Sequence, residues 1–162
     1  MQQRIINRVE SDPHYHRYLQ SFQPKPDGSA AAAIILAARQ IAQSVNANAI
    51  VSFTVGGTTA QRASKKRPAV PILAISPLKQ TCRQLSLSWG VYPEFSGPDE
   101  FDTDNFRDML RSACEIAVRK GLATNPNDLL VVTAGFPFAT PGAANVIRVV
   151  PAAGPSHWDA SL

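Results

Sequence analysis

Thr54-Val55-Gly56-Gly57-Thr58-Thr59 is the stretch of this chain best equipped for chemistry, and the chemistry is anion binding. It follows a short apolar run, Ala49-Ile50-Val51-Ser52-Phe53, and leads into a helical pattern from Ala60. Two glycines let the backbone turn sharply and let a ligand approach closely. Three threonines set hydroxyls around the turn, and the helix directs its unpaired N–H groups back at the loop. Such an arrangement suits a phosphate. A plain tight turn between strand and helix is the competing reading of the same residues. Two more specific readings fail. A nucleotide-binding P-loop needs a lysine and a Ser/Thr directly after its last glycine, and here Gly57 is followed by Thr58-Thr59, with no lysine before Lys65. A dinucleotide fold needs Gly-x-Gly-x-x-Gly and an acid closing the next strand, whereas that strand, Ile72-Leu73-Ala74-Ile75, runs into Ser76-Pro77.

No other constellation assembles a reaction. Ser52 lacks a His and an acid placed to activate it. His14 and His16 are two residues apart and face opposite sides of a helix, and Cys82 and Cys114 lie separately in helical patterns, so no metal ligand set is expected. The two cysteines read as reduced, buried thiols of a cytoplasmic protein. Trp89 is assigned to a core stripe, Arg39 and Arg62 to solvated helix faces, and Arg67-Pro68 to the close of a helix.

The chain has 162 residues, 44% of them apolar, enough for one domain with a real core. No apolar run approaches the ~20 residues of a membrane span, and the opening Met1-Gln2-Gln3-Arg4 lacks the apolar core of a secretory signal. Sixteen basic against twelve acidic residues give a net charge of +4, a mild bias toward anionic ligands. The basic residues are scattered apart from Lys65-Lys66-Arg67, and no aromatics interleave with them, so nucleic acid is not expected.

The elements must then position the loop. Helical segments run from Arg4 to about Gln20 with a break at Asp12-Pro13, and from about Ser29 to Val45 with Ile34, Ala38, Ile41, Ala42 and Val45 on one face. Strands are expected at 49–53, 71–75, 91–95, 129–133 and 146–150. Helices lie between them: one ending near Arg67, one capped by Ser76 with Leu78, Cys82, Leu85 and Trp89 on its buried face, and one capped by Thr103 with Phe106, Leu110, Ala113 and Ala117 inward and Gly121 as its stop. The alternation predicts an α/β fold, a three-layer α/β/α sandwich around a five-stranded, mostly parallel sheet. The last connection is too short for a crossover helix, so the last strand is expected to be antiparallel. Ligands of such sheets sit beyond the carboxyl ends of the strands, where the Thr54–Thr59 loop, Ser76 and the Thr133–Gly142 loop converge.

Several stretches, in this order, resemble the C-terminal domain of pyruvate kinases of bacterial type. They are Ala37-Ala38-Arg39-Gln40-Ile41-Ala42, Ala49-Ile50-Val51, Gly57-Thr58-Thr59-Ala60, Ser64-Lys65-Lys66-Arg67-Pro68, Pro71-Ile72-Leu73-Ala74, Arg83-Gln84-Leu85, Trp89-Gly90-Val91-Tyr92-Pro93, Thr133-Ala134-Gly135-Phe136-Pro137 and Thr140-Pro141-Gly142-Ala143-Ala144-Asn145. The resemblance implies a lead-in helix and linker from the end of a catalytic barrel at 1–27 and the α/β domain at 28–150, while the small, polar residues at 151–162 read as a disordered tail. It implies a regulatory domain of a glycolytic enzyme that binds an allosteric phosphorylated effector and joins in homotetramer contacts. The parent converts phosphoenolpyruvate and ADP to pyruvate and ATP. Its catalytic residues, Mg²⁺ and K⁺ would belong to the barrel, so this chain would be inactive alone and need no cofactor of its own.

By the same resemblance, Thr54, Gly56, Gly57, Thr58 and Thr59 wrap the effector phosphate, and Ala134, Gly135, Thr140, Pro141 and Gly142 form the loop that closes over it. Two departures matter. Members that bind fructose 1,6-bisphosphate place a tryptophan and an arginine where this chain has Phe101-Asp102-Thr103-Asp104-Asn105-Phe106-Arg107, and two acids there repel a second phosphate. Members also usually carry Thr where this chain has Ala144. A sugar monophosphate or nucleoside monophosphate is therefore the expected effector. An oligomerisation module with a decayed effector site, and a stand-alone phosphosugar-binding domain, are the alternatives. The apolar final strand Val146–Val150 is read as an edge that pairs with another copy, with an edge covered within the chain as the competing reading.

Overall fold

The computed structural model describes residues 2–21, 28–97, 105–135 and 144–154. Its elements are α1 (Gln2–Glu10), α2 (Pro13–Ser21), α3 (Ala30–Ser44), β1 (Ala49–Phe53), α4 (Thr58–Lys65), β2 (Ile72–Ser76), α5 (Lys79–Leu85), β3 (Val91–Phe95), α6 (Phe106–Arg119), β4 (Leu129–Ala134) and β5 (Val146–Pro151). The strands form one sheet in the order β3-β2-β1-β4-β5. β1 pairs in parallel with β2 and β4, β2 pairs in parallel with β3, and β5 runs antiparallel to β4 with Val131 opposite Val149. The expected architecture holds, including the reversed last strand.

Period-two alternation sorts the strand side chains onto the two faces. Val51, Phe53, Leu73, Ile75, Leu130 and Val132 pack against Met109, Leu110, Ala113 and Ala117 of α6. On the other face, Ile72 and Ala74 meet Ile35 of α3, Ala60 and Ala63 of α4, and Leu85 of α5. Ile50 and Val131 meet Ala38 and Ala42 of α3. Alanines on α3 and α4 bring these helices close to the sheet. The α3 stripe is centred on Ile35 and Ala38, whereas Ile34, Ile41 and Val45 are only half-buried. Ser29 caps α3 by accepting from the Ala32 N–H at 3.2 Å.

Three helix readings need correction. Ser76 does not cap α5. It stays in the β2–β3 ladder opposite Phe95, its Oγ donates to the Val55 carbonyl, and α5 starts three residues later without a side-chain cap. α5 also stops at Leu85, where Leu87 and Ser88 donate to carbonyls only three residues back in tight turns. Leu78 therefore precedes the helix and is exposed, and Trp89 follows it, so neither joins Leu85 in the core. The α6 cap is Asn105, whose Oδ1 accepts from the N–H groups of Arg107 and Asp108. Thr103 lies outside the described residues.

Gly121, at φ +70°, turns the chain out of α6 as its position suggested. Asp128 then closes the turn into β4, its Oδ2 accepting from Thr124 N–H at 2.7 Å and Asn125 N–H at 3.0 Å. These two hydrogen bonds hold its pKa below the usual carboxylate value. The fold continues past the expected start of the tail. Ala152 N–H donates to Asp128 O at 2.7 Å, and Ala152 and Gly154 are buried. Residues 155–162 lie outside the described residues.

Glu94 on β3 ties the sheet edge to the end of α6 through Arg119, at 2.7 Å, and Lys120. Partial burial pushes its pKa up, but the hydrogen bonds and charges of Lys120 and Arg119 outweigh that, and the net displacement is downward. A carboxyl with a depressed folded-state pKa contributes stability above its unfolded value and loses it as the pH falls through the folded one. The stability difference between wild type and Glu94→Gln, followed by urea unfolding, is therefore expected at neutral pH and should fade below about pH 4.3, the unfolded glutamate value. A difference that stays constant into strong acid would show that the ion pairs do not contribute.

Candidate functional site

The register of β1 builds the site. Thr54 N–H donates to Ile75 O at 3.0 Å, so the ladder with β2 runs one residue beyond β1 before the loop departs. Thr54 is buried, and its Oγ1 accepts from Gly57 N–H at 3.0 Å, closing the loop on itself. The Val55 carbonyl accepts from Ser76 Oγ at 3.1 Å and Thr81 Oγ1 at 2.8 Å, which strap the loop to β2 and α5. Gly57 takes φ +83° and serves as the cap of α4. Its carbonyl receives the first helical bond, from Gln61 N–H at 3.0 Å. The N–H groups of Thr58, Thr59 and Ala60 thus have no partner within the helix. Gly56 and Thr58 are exposed and Thr59 is half-exposed. Of the five loop residues, Thr54 and Gly57 shape the turn, while Gly56, Thr58 and Thr59 form its outer surface.

β4 brings the second loop to the same edge. Ser52 pairs with Thr133, whose Oγ1 donates to the Val51 carbonyl at 3.2 Å, so Ala134 and Gly135 emerge beside Phe53 and Thr54. Ala134 is buried and Gly135 half-buried. Asn145 N–H donates to Ala134 O at 3.1 Å and ties the far end of this loop back to its start. Thr140, Pro141 and Gly142 lie outside the described residues, as do Asp102 and Asp104. Sequence reasoning missed Thr81, because a threonine on a short helix carries no local sign that it will strap a distant carbonyl.

Nucleophilic chemistry finds no support here. Ser52 is fully buried and its hydroxyl has no hydrogen-bond partner among the described residues. Both cysteines are unpaired thiols. Burial, with Glu115 nearby, pushes Cys114 up to about 11, and burial, with Glu94, also raises Cys82, so both stay protonated at neutral pH. Among the described residues no group of three or more His, Cys, Asp or Glu lies together as a metal site.

The fold and edge together define a three-layer α/β/α domain with a hydrogen-bonded glycine turn at the carboxyl ends of its parallel strands. The family model described as "Pyruvate kinase, alpha/beta domain" matches residues 32–150. A pyruvate kinase of Agrobacterium vitis is 41% identical over 149 residues, covering 92% of this chain and 30% of that protein. One of Methylorubrum extorquens is 35% identical over 146 residues, covering 90% of this chain and 30% of that protein. The crystal structure of a pyruvate kinase from Cryptosporidium parvum superposes with a TM-score of 0.67 at 25% identity, over 80% of this chain and 24% of that one. The chain belongs to the pyruvate kinase α/β-domain family and corresponds to the C-terminal domain of such an enzyme. It spans about a third of the length of these bacterial relatives.

The two loop glycines should respond differently to substitution. A Cβ on Gly57 would sit 3.2 Å from Thr81 Cγ2 and 3.4 Å from Leu85 Cδ2, at a left-handed φ. Gly57→Ala is expected to cost about 1–2 kcal/mol. A Cβ on Gly56 would meet nothing within 4 Å, so Gly56→Ala should stay within about 0.5 kcal/mol of wild type. Chemical denaturation of the two variants checks this, and equal losses would contradict the assigned loop geometry.

Proposed function

We propose that this chain is the effector-binding and oligomerisation domain of a pyruvate kinase, and that the effector is held by one phosphate on the Thr54–Thr59 loop. The observation that carries this reading is the strapped turn. Thr54, Ser76 and Thr81 fix its backbone, and Gly57 turns the N–H groups of Thr58, Thr59 and Ala60 away from the helix they open. Preorganised backbone donors at a helix N-terminus, joined by the Thr58 and Thr59 hydroxyls, suit a single dianion without a lysine. Ala134 and Gly135 begin the loop that closes over the rest of the effector. A sugar monophosphate or nucleoside monophosphate fits better than a bisphosphate, because by the family resemblance Asp102 and Asp104 fall in the stretch where bisphosphate-binding members carry a tryptophan and an arginine for the second phosphate.

The parent reaction is the transfer of a phosphoryl group from phosphoenolpyruvate to ADP, a step of glycolysis, and this chain alone is expected to be inactive in it. Mg²⁺ and K⁺ belong on this reading to the catalytic barrel, which is the partner of this domain. β5 is one of the two edge strands of the sheet, with Arg148 and Val149 exposed, and on this reading it is the candidate contact between copies in a homo-oligomer. No described helix is long and apolar enough to cross a membrane, and a cytoplasmic location accords with a glycolytic parent. An oligomerisation module whose effector site has decayed is the second reading.

Titration calorimetry with glucose 6-phosphate, AMP and fructose 1,6-bisphosphate tests the site. One of the monophosphates is expected to bind more tightly than the bisphosphate. Thr58→Ala/Thr59→Ala removes two donors to a charged group, each worth about 1.5–3 kcal/mol, so affinity should fall at least about tenfold. Tighter bisphosphate binding, or an unchanged double variant, would overturn the assignment. No binding of any phosphorylated ligand would favour the decayed-site reading.

A further inference from the structure

A cavity of about 200 Å³ opens at the opposite edge of the sheet from the Thr54 loop, by the amino ends of β2 and β3 and the end of α3. Its walls come from the last turns of α3, the segment 67–70 before β2, Trp89 before β3, and α1–α2. Strands of five residues put this edge roughly 17 Å from the Thr54 loop, and no residue is shared between the two places.

The polar groups of the cavity are unusually organised. Trp89 is half-buried, its indole N–H donates to Glu10 Oε1 at 2.7 Å, and the Arg67 guanidinium lies over its ring at 4.5 Å from the centroid. Arg67 reaches that place from φ +48°, a left-handed backbone that an arginine adopts at a cost. Arg39 donates one nitrogen to the Leu19 carbonyl at 2.9 Å and also lines the cavity. Two guanidiniums against one carboxylate leave a net charge of +1. Leu19, Ala42 and Val70 supply an apolar wall.

We propose that this cavity is a second ligand site, taking a small monocarboxylate with an apolar body. A carboxylate matches the planar guanidinium donors, and one negative charge balances the excess. A phosphate dianion would set a second charge against Glu10. The volume, below the ~300–1,000 Å³ of sites for drug-sized molecules, admits a molecule the size of benzoate. Because α1 and α2 form one wall and the α/β domain the other, a bound ligand ties the lead-in helices to the domain.

Benzoate is the probe, with benzamide as its neutral counterpart and inorganic phosphate as the competing anion. The full chain carrying Trp158→Phe reports through Trp89 fluorescence. Saturable quenching by benzoate is expected, with benzamide at least tenfold weaker and phosphate unable to displace it. Arg39→Gln and Arg67→Gln should each weaken benzoate at least tenfold, while Thr58→Ala/Thr59→Ala leaves it unchanged, which separates this site from the effector loop. Should either arginine variant lose its circular dichroism, amide-resolved NMR of the wild type decides, with shifts on benzoate addition gathering at residues 39–43, 67–70 and 89. Equal binding of benzamide, displacement by phosphate, an effect of the threonine variant, shifts elsewhere, or no saturable response would each overturn the proposal.

Discussion

Every residue of β1 is buried. A strand with no solvent on either face or edge must pair all of its backbone N–H and C=O groups within the protein. β2 and β4 meet that demand in parallel on its two sides, and α6 and α3 cover its faces. Parallel pairing in turn places the carboxyl ends of β1, β2 and β4 together. The Thr54 loop, Ser76 and Ala134–Gly135 are neighbours for that reason. No local feature of the loop needs to seek them out.

The same burial dictates how the loop is tied down. Val55 leaves the sheet with a carbonyl that no strand can pair, and two side-chain hydroxyls from β2 and α5 satisfy it. Thr54 satisfies the Gly57 N–H in the same way. The first turn of α4 is left with N–H groups that have no partner within the helix, and of its residues Thr58 is exposed and Thr59 half-exposed. A phosphate would replace water on donors already in position, so little ordering cost falls on binding.

Much of the fold was legible in the sequence because the buried strands are short apolar runs bounded by turn residues. β1 at 49–53 and β3 at 91–95 match the expected bounds in full, β4 and β5 each run one residue further at the carboxyl end, and β2 is shifted by one residue at both ends. What local patterning missed was tertiary. Ser76-Pro77 carries a helix-start signature, yet pairing with β3 keeps Ser76 in the strand. Trp89 is four residues after Leu85, a helical spacing, but the helix ends at Leu85 and the indole turns to Glu10 of α1 and to Arg67. Arg39 and Arg67, read as a solvated face and a helix close, belong to the same junction. At the loop, the glycines and threonines were readable, but the internal use of the Thr54 hydroxyl and the straps from Ser76 and Thr81 depend on contacts more than 20 residues apart in two of the three cases.

The two edges of the sheet thus carry different chemistry: backbone donors and hydroxyls at the carboxyl edge, guanidiniums and an indole at the amino edge. An amide-resolved NMR titration of the full chain with glucose 6-phosphate tests the central claim most directly. Saturable shifts concentrated at the N–H groups of Thr58, Thr59 and Ala60, with residues 67–70 and Trp89 unmoved, are the predicted result. Saturable shifts centred on the amino edge, with the α4 turn silent, would contradict it.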